Sequence, residues 1–462
     1  MFVDRERELG LLERCFASGE AELVVLYGRR RVGKTELLAK FCEGKRHIFF
    51  VADLDVEPML RARLSAAINT RLLGSETASA VYPSWEALFQ VVARHAQAEP
   101  LVVVLDEFNY LLAAHPPLAS VLQRLWDSDL RHTQLKLVLC GSHIGMMESE
   151  VLGYQAPLYG RRTAQYLLDP LAFADARAFF AHLDEVDRVR AYAVLGGTPA
   201  YLRLIQPGQS VEDLIVDKIL TRGTFLYDEV RLLLQQELRE PRNYFAILEA
   251  IAGGRARLNE IKQATGLEGI SSYLSTLIAL QIVERVVPVT EAQPHKSRRG
   301  LYRLRDPFFR FWLRFVHPNR SVLEQGDAQT VYDAHVAPQL DTFTGPIFEQ
   351  VCEQHLWRAG SAGTLPFRPQ RIGSWWAANQ EVDLVALADG LALVGECKWS
   401  SRPIGVDVLR HLESVAATIP ELADRALSFA LFTRNGFTEQ VAAEASARDD
   451  LVLVDLATLT AS

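Results

Sequence analysis

The sequence predicts an α/β protein of several domains that opens with a parallel sheet. Three observations carry that reading. An octet bounded by glycines, Gly28-Arg29-Arg30-Arg31-Val32-Gly33-Lys34-Thr35, lies between an apolar run, Leu23–Tyr27, and a helical pattern, Glu36–Phe41. Further apolar runs alternate with helix-period stretches as far as Leu168, the pattern of strands joined by crossover helices. A second pair of apolar runs meets at Asp389-Gly390, the strongest two-residue hairpin signal, far from the first set.

The 462 residues allow about two to four domains. Apolar content of 49% and charged content of 23% suit large buried cores. A net charge of −8 excludes a global basic field, so any nucleic-acid contact must be local. Five scattered cysteines without a Cys-x-x-Cys pair predict neither a zinc ribbon nor a disulfide framework. The charged start, Met1–Glu8, is not a signal-peptide pattern, and no apolar run approaches the roughly 18 residues of a membrane span. The expectation is a cytoplasmic protein with no membrane partner.

In chain order, residues 4–17 predict an amphipathic helix with Leu9, Leu12 and Phe16 on one face. Arg46–Ala52 reads as a second strand, followed by helices over 57–72 and 84–97. Leu101–Leu105 is continuously apolar and closes on Asp106-Glu107, as expected of a parallel strand buried on both faces. A helix over 118–130 leads to a strand, Leu135–Ser142, and Thr163–Leu168 is a short last strand.

Strand, glycine-bounded loop and helix form the context a phosphate-binding loop requires. The glycines permit a tight path along which backbone N–H groups point at phosphate oxygens, beside the positive end of the following helix. Gly28 through Glu36 are the predicted ATP-binding segment. Lys34 would reach the β- and γ-phosphates, and the Thr35 hydroxyl would hold Mg²⁺. Asp106 would orient that ion and Glu107 would polarise the attacking water. Ser142 is either a sensor of the γ-phosphate or a turn serine. Arg161, with Arg162, is either an arginine finger or part of a surface pair; a finger acting in trans would need a homo-oligomer.

These residues resemble a known group. Phe2-Val3-Asp4-Arg5-Glu6-Arg7-Glu8-Leu9, the phosphate loop, Asp106-Glu107-Phe108 and Leu195–Leu202 look like the archaeal-type ATPases, an AAA+/STAND-like P-loop family also found in bacteria. The resemblance implies that the Arg-Glu box lies near the nucleotide. It also implies that Gly197-Thr198-Pro199, in a helical lid, couples nucleotide state to domain position. Residue 4 is Asp where many related boxes have Gly, which weakens the implied adenine contact there.

After Pro241 come three helical stretches, at 244–251, 258–264 and 270–281. A strand at 282–288, a polar segment at 294–300 and a strand at 301–306 follow, so the whole resembles a winged helix-turn-helix. From Glu284 to Arg320 nine Lys/Arg face three Asp/Glu, the local footprint of phosphate contacts. DNA is therefore an expected partner, with intramolecular packing as the alternative use of this patch. Trp312 and its neighbouring phenylalanines are expected in the core.

In the last part, Glu381–Ala388 and Leu391–Lys398 flank the Asp389-Gly390 turn. A two-residue turn pairs 388 with 391, which puts Asp383 opposite Glu396 and Lys398 opposite Glu381. Alternation then sets Asp383, Glu396 and Lys398 on one face and Cys397 on the other. Facing carboxylates repel unless neutralised, and Mg²⁺ is the economical counter-charge. Lys398 could orient a water or steady charge at phosphorus. The alternative is a solvated surface ion pair. Asp-x12-Glu-x-Lys resembles the core of PD-(D/E)xK nucleases, whose first helix often supplies another acid; Glu349 fits that place.

The expected architecture is a P-loop parallel-sheet ATPase core at 1–170, a helical lid at 171–240 and a winged helix at 241–325, then a restriction-endonuclease-like α/β domain at 330–462. The expected activity is ATP hydrolysis coupled to a winged helix and a metal-dependent DNA nuclease domain. The alternative is a nucleotide switch whose last domain binds without cutting.

Overall fold

Five parallel strands build the sheet of the first unit, residues 1–170. They are β1 (Glu22–Tyr27), β2 (His47–Val51), β3 (Leu101–Asp106), β4 (Leu135–Gly141) and β5 (Ala164–Leu167), in the order β2-β3-β4-β1-β5. The computed structural model describes residues 3–74, 80–238, 240–377 and 380–461. Phe2 of the N-terminal box lies outside them.

Every residue of β3 and β4 is buried, as their unbroken apolar runs require. Lys136 is the exception in composition: its stem lies in the core while its ammonium reaches Ser18 Oγ (3.0 Å) and the Glu20 carbonyl. One core face joins Val24, Leu26, Leu37, Phe41, Val104 and Val138. Truncating a side chain such as Leu37 there costs about 2–5 kcal/mol. The chain leaves β1 and crosses β4 and β3 to reach β2. The carboxyl ends of β1, β4 and β3 are thus adjacent, at the kind of edge where open α/β sheets bind ligands. The predicted helix at 118–130 ends at Ser128, and a separate 3₁₀ turn covers Leu130–His132.

The second unit, residues 171–462, begins with short helices. In the Leu195–Leu202 segment, a Cβ on Gly197 would stand 1.8 Å from the Leu171 carbonyl oxygen, so no side chain fits there. The Leu171 amide donates to the Gly197 carbonyl at 2.8 Å, and Pro199 then starts a helix. Three helices follow, Pro241–Ala252, Leu258–Thr265 and Ile270–Ala279, then an antiparallel hairpin of β6 (Val283–Val286) and β7 (Leu301–Leu304). Phe308, Phe309, Phe311 and Trp312 are fully buried, and Trp312 Nε1 donates to the Tyr227 carbonyl at 2.7 Å.

The last sheet has the order β12-β11-β10-β9-β8. Its strands are β8 (Arg371–Ala377), β9 (Gln380–Ala388), β10 (Leu391–Lys398), β11 (Ala426–Thr433) and β12 (Leu451–Val454). The β8-β9-β10 part is antiparallel; β10, β11 and β12 run parallel. The long helix Leu340–Ala362, with Pro346 inside it, packs against β8, β9 and β10. The helix Val406–Ala417 contributes Leu409, Leu412 and Val415 to the core with Val385 and Val394. No helix among the described residues is long and apolar enough to cross a membrane.

Candidate functional site

The loop after β1 is shaped by backbone that few residues tolerate. Gly28 has φ 154°, and a Cβ there would lie 2.5 Å from the Leu168 carbonyl oxygen. Arg31 (φ 72°) and Gly33 (φ 94°) are left-handed. Five non-glycine residues have positive φ among the described residues. Four of them, Asp4, Arg5, Arg31 and Glu107, belong to the predicted nucleotide-site segments. Such conformations cost about 1–3 kcal/mol each and persist where surrounding structure enforces them.

The enforcing contacts form a chain. Lys34 Nζ donates to the carbonyls of Gly28 and Arg29, both at 2.9 Å, which folds the loop around its ammonium. Thr35 Oγ1 donates to Asp106 Oδ2 at 2.6 Å, and the Glu107 amide donates to Asp106 Oδ1 at 2.9 Å. Ser142 Oγ donates to Glu107 Oε2 at 2.6 Å, while its amide donates to Asn109 Oδ1 at 3.3 Å. Lys34, Thr35, Asp106, Glu107 and Ser142 are therefore brought together from three neighbouring strand ends. Thr35 and Asp106 supply hydroxyl and carboxylate oxygens, the donor chemistry that Mg²⁺ takes.

Two residues of the predicted segments have partners that the sequence does not reveal. Buried Arg5 donates to Glu8 Oε1 (3.0 Å), to the Val32 carbonyl of the loop (2.9 Å) and to the Asp169 carbonyl after β5 (2.8 Å). Arg30 Nη2 donates to Tyr110 OH at 3.1 Å. The Arg-Glu box was the available signal for Arg5, but its target atoms are backbone carbonyls that no motif reveals. Arg161 is engaged elsewhere: its guanidinium grips Asp127, at 3.0 Å from Nε and 2.7 Å from Nη2. That bond holds the Asp127 carboxyl below its usual range.

The hairpin of the second unit carries the other predicted set. Its register is that of a two-residue turn, from Leu391↔Ala388 to Gly395↔Leu384. The ladder stops there, and beyond it the Asp383 carboxylate accepts the Cys397 amide at 2.8 Å. Lys398 pairs with Glu396 on its own strand, not with Glu381; Glu381 lies opposite Trp376 of β8. Cys397 is buried.

Burial, with the Glu396 charge next in size, pushes the Asp383 carboxyl up to about 6. Burial, followed by the Asp383 charge, pushes Glu349 up to about 7. Burial lowers the Lys398 ammonium, but the Glu396 partner outweighs it and the net shift is upward. Among the described residues no group of three or more His, Cys, Asp or Glu is arranged to hold a metal ion. Glu349, Asp383 and Glu396 thus interact electrostatically without forming a ready cage, since Lys398 holds Glu396 and a backbone amide holds Asp383.

Residues 2–205 match the family of ATPase domains predominantly from Archaea. Residues 312–410 match a family of archaeal and bacterial proteins of unknown function. An uncharacterized protein of Methanocaldococcus jannaschii is 34% identical over 404 residues, which covers 86% of this chain and 88% of that protein. The chain belongs to the archaeal-type ATPase family. A second M. jannaschii relative of this archaeal-type ATPase, an uncharacterized ATP-binding protein, is 56% identical over 46 residues, 10% of the chain and 78% of the relative. Among solved structures, the Walker-type ATPase of Pyrococcus abyssi is similar at 22% identity. The match covers 68% of this chain and 96% of that one, with a TM-score of 0.49.

Proposed function

We propose that this chain hydrolyses ATP and uses the nucleotide cycle to control a DNA-contacting winged helix and a nuclease-like C-terminal domain. The observation that carries the ATPase part is the hydrogen-bond chain Thr35–Asp106–Glu107–Ser142 at the mouth of the phosphate loop. When ATP binds, Lys34 exchanges the Gly28 and Arg29 carbonyls for phosphate oxygens. Thr35 and Asp106 would hold Mg²⁺, which would neutralise charge on the phosphates. Glu107 orients the attacking water and accepts its proton, and its second carboxylate oxygen is available for that while Oε2 accepts from Ser142. Ser142 then faces the γ-phosphate, so its hydroxyl reports which state the site is in. Arg161 acts as a finger only if Asp127 releases it.

For the C-terminal domain, Glu349, Asp383, Glu396 and Lys398 form the proposed cleavage set. The chemistry of two half-buried carboxyls with raised affinity for protons suits a divalent cation. Among the described residues these acids are not gathered into a metal cage. The same observation favours a second reading, a nucleotide switch whose last domain binds DNA or protein without cutting it.

One assay separates them. Linear, circular and single-stranded DNA are incubated with Mg²⁺ or Mn²⁺, with and without ATP, using wild type and Glu396→Ala. Cutting that is lost in the variant supports the nuclease, and ATP dependence supports coupling. No cutting under any condition removes the nuclease reading and leaves the switch.

A further inference from the structure

Beside the hairpin β6-β7 lies a cavity of about 510 Å³, within the usual size range of ligand pockets. Arg257, Arg285, Arg298 and Arg299 line it, together with Tyr302 and Trp376. None of its lining residues is acidic. Four guanidiniums and two aromatic faces around one concavity are the chemistry of phosphate capture combined with base stacking.

The site is built rather than incidental. The Tyr302 amide donates to the Ala256 carbonyl at 2.7 Å, which sets Arg257 and the start of the helix Leu258–Thr265 against β7. Arg285, the ladder partner of Tyr302, donates to the carbonyls of Pro294 (3.0 Å) and Ser297 (2.5 Å). Its guanidinium lies where a Cβ on residue 300 would be, 2.5 Å from that point, so Gly300 is what lets it lie flat. The Val289 amide donates to the Ser374 carbonyl at 3.0 Å, and Arg371 Nη1 donates to the Glu291 carbonyl at 3.1 Å. These bonds fasten the hairpin region to β8 and bring Trp376 to the rim. Arg299 has one loose contact with Glu291 at 3.5 Å, and its Nη2 is buried with no hydrogen-bond partner among the described residues. Arg257 and Arg298 are exposed.

We infer that this cavity binds a phosphate-bearing nucleotide, with the arginines on the phosphate and the base against Trp376 or Tyr302. The inference deepens the DNA-contact reading above and rests on it where the nucleotide belongs to a strand. A single strand fits better than a duplex, whose bases are stacked inside and offer no free face to the aromatics.

The test uses the full chain in EDTA and a fluorescent, 5′-phosphorylated thymidine oligonucleotide of about 12 nucleotides, within the span one such binding surface covers. Anisotropy titrations compare wild type, Arg257→Glu/Arg298→Glu, Trp376→Ala and Trp376→Phe. The charge-reversal positions are exposed, so their change leaves the core untouched. The expected result is about tenfold or greater weakening by the charge reversals, with a shallower salt dependence. Trp376→Ala weakens binding by about 5- to 150-fold, the range of one lost base stack, and Trp376→Phe retains most of it. Displacement of the oligonucleotide by thymidine monophosphate supports the inference with a free nucleotide as occupant; its failure to displace supports it with a strand as occupant. Wild-type binding that the charge reversals and Trp376→Ala leave unchanged overturns the pocket while the DNA reading survives. A wild type that binds neither probe overturns both.

Discussion

The phosphate loop and the carboxylate hairpin are both clusters of charged side chains at the end of buried strands, yet they handle charge in opposite ways. At the loop, each polar group is already spoken for: Lys34 by carbonyls, Asp106 by Thr35 and an amide, Glu107 by Ser142. At the hairpin and the helix beside it, burial and neighbouring carboxylates, Asp383 for Glu349 and Glu396 for Asp383, leave Glu349 and Asp383 with raised affinity for protons. A preorganised site needs only an exchange of partners to accept ligand, whereas a strained acid pair needs a counter-charge to arrive. The first design suits repeated turnover. The second suits a site that stays silent until a cation, or a movement, completes it.

The largest expected effect is at the loop. Lys34→Ala removes the ammonium that bonds the Gly28 and Arg29 carbonyls, and calorimetry should find no measurable ATP binding. Undiminished affinity would break the assignment. Glu107→Gln keeps the size of the side chain and its bond to Ser142 but cannot accept a proton. ATP binding should persist while hydrolysis falls by about 10²–10⁴-fold, the usual worth of a positioned general base. A phosphate-release assay showing near-normal turnover would mean that Glu107 is not the water-orienting group.

How much of this was legible depended on chain distance. The loop was readable because its eight residues are contiguous and flanked by an unmistakable strand and helix. The hairpin register was readable because Asp389-Gly390 fixes it, and Leu391↔Ala388 is where the turn puts it. Arg5 was readable as part of its box, but its partners were not, because it reaches across to the carbonyls of Val32 and Asp169, which carry no side-chain signature. The Lys398–Glu396 pair was not readable either, because it joins two residues of one strand beyond Gly395↔Leu384, where the ladder ends. The Glu107–Ser142 bond joins the ends of two adjacent strands, and neither residue announces the other.

Arg5 gives the intermediate test. Arg5→Met keeps the buried stem and removes bonds to Glu8, Val32 and Asp169. Losing charge-assisted bonds of this kind costs about 1.5–3 kcal/mol each. The expected outcome is a lower melting temperature with ATP affinity reduced but still measurable, a smaller loss than Lys34→Ala produces. Unchanged affinity alongside lower stability would separate the role of Arg5 in folding from any role in shaping the loop.

The smallest effect is the most diagnostic of the second site. Glu349, raised to about 7 against an ordinary carboxylate value of 4.5, binds its proton more tightly in the folded chain than in the unfolded one. The stability this proton contributes is fully present below about 4.5 and is lost as pH climbs through about 7, because the native state then gives up a proton it held favourably. Glu349→Gln cannot ionise. Its melting temperature should match or fall below wild type near pH 5 and exceed it by a few degrees near pH 8. Parallel pH profiles would mean that the carboxyl is not raised. Saturating Mn²⁺ sharpens the comparison, since a cation beside Asp383 and Glu349 replaces the missing proton. It should restore wild-type stability at pH 8 and leave Glu349→Gln less affected. If Mn²⁺ stabilises neither protein, the acids are strained by burial alone, and the silent-domain reading gains the ground that the nuclease loses.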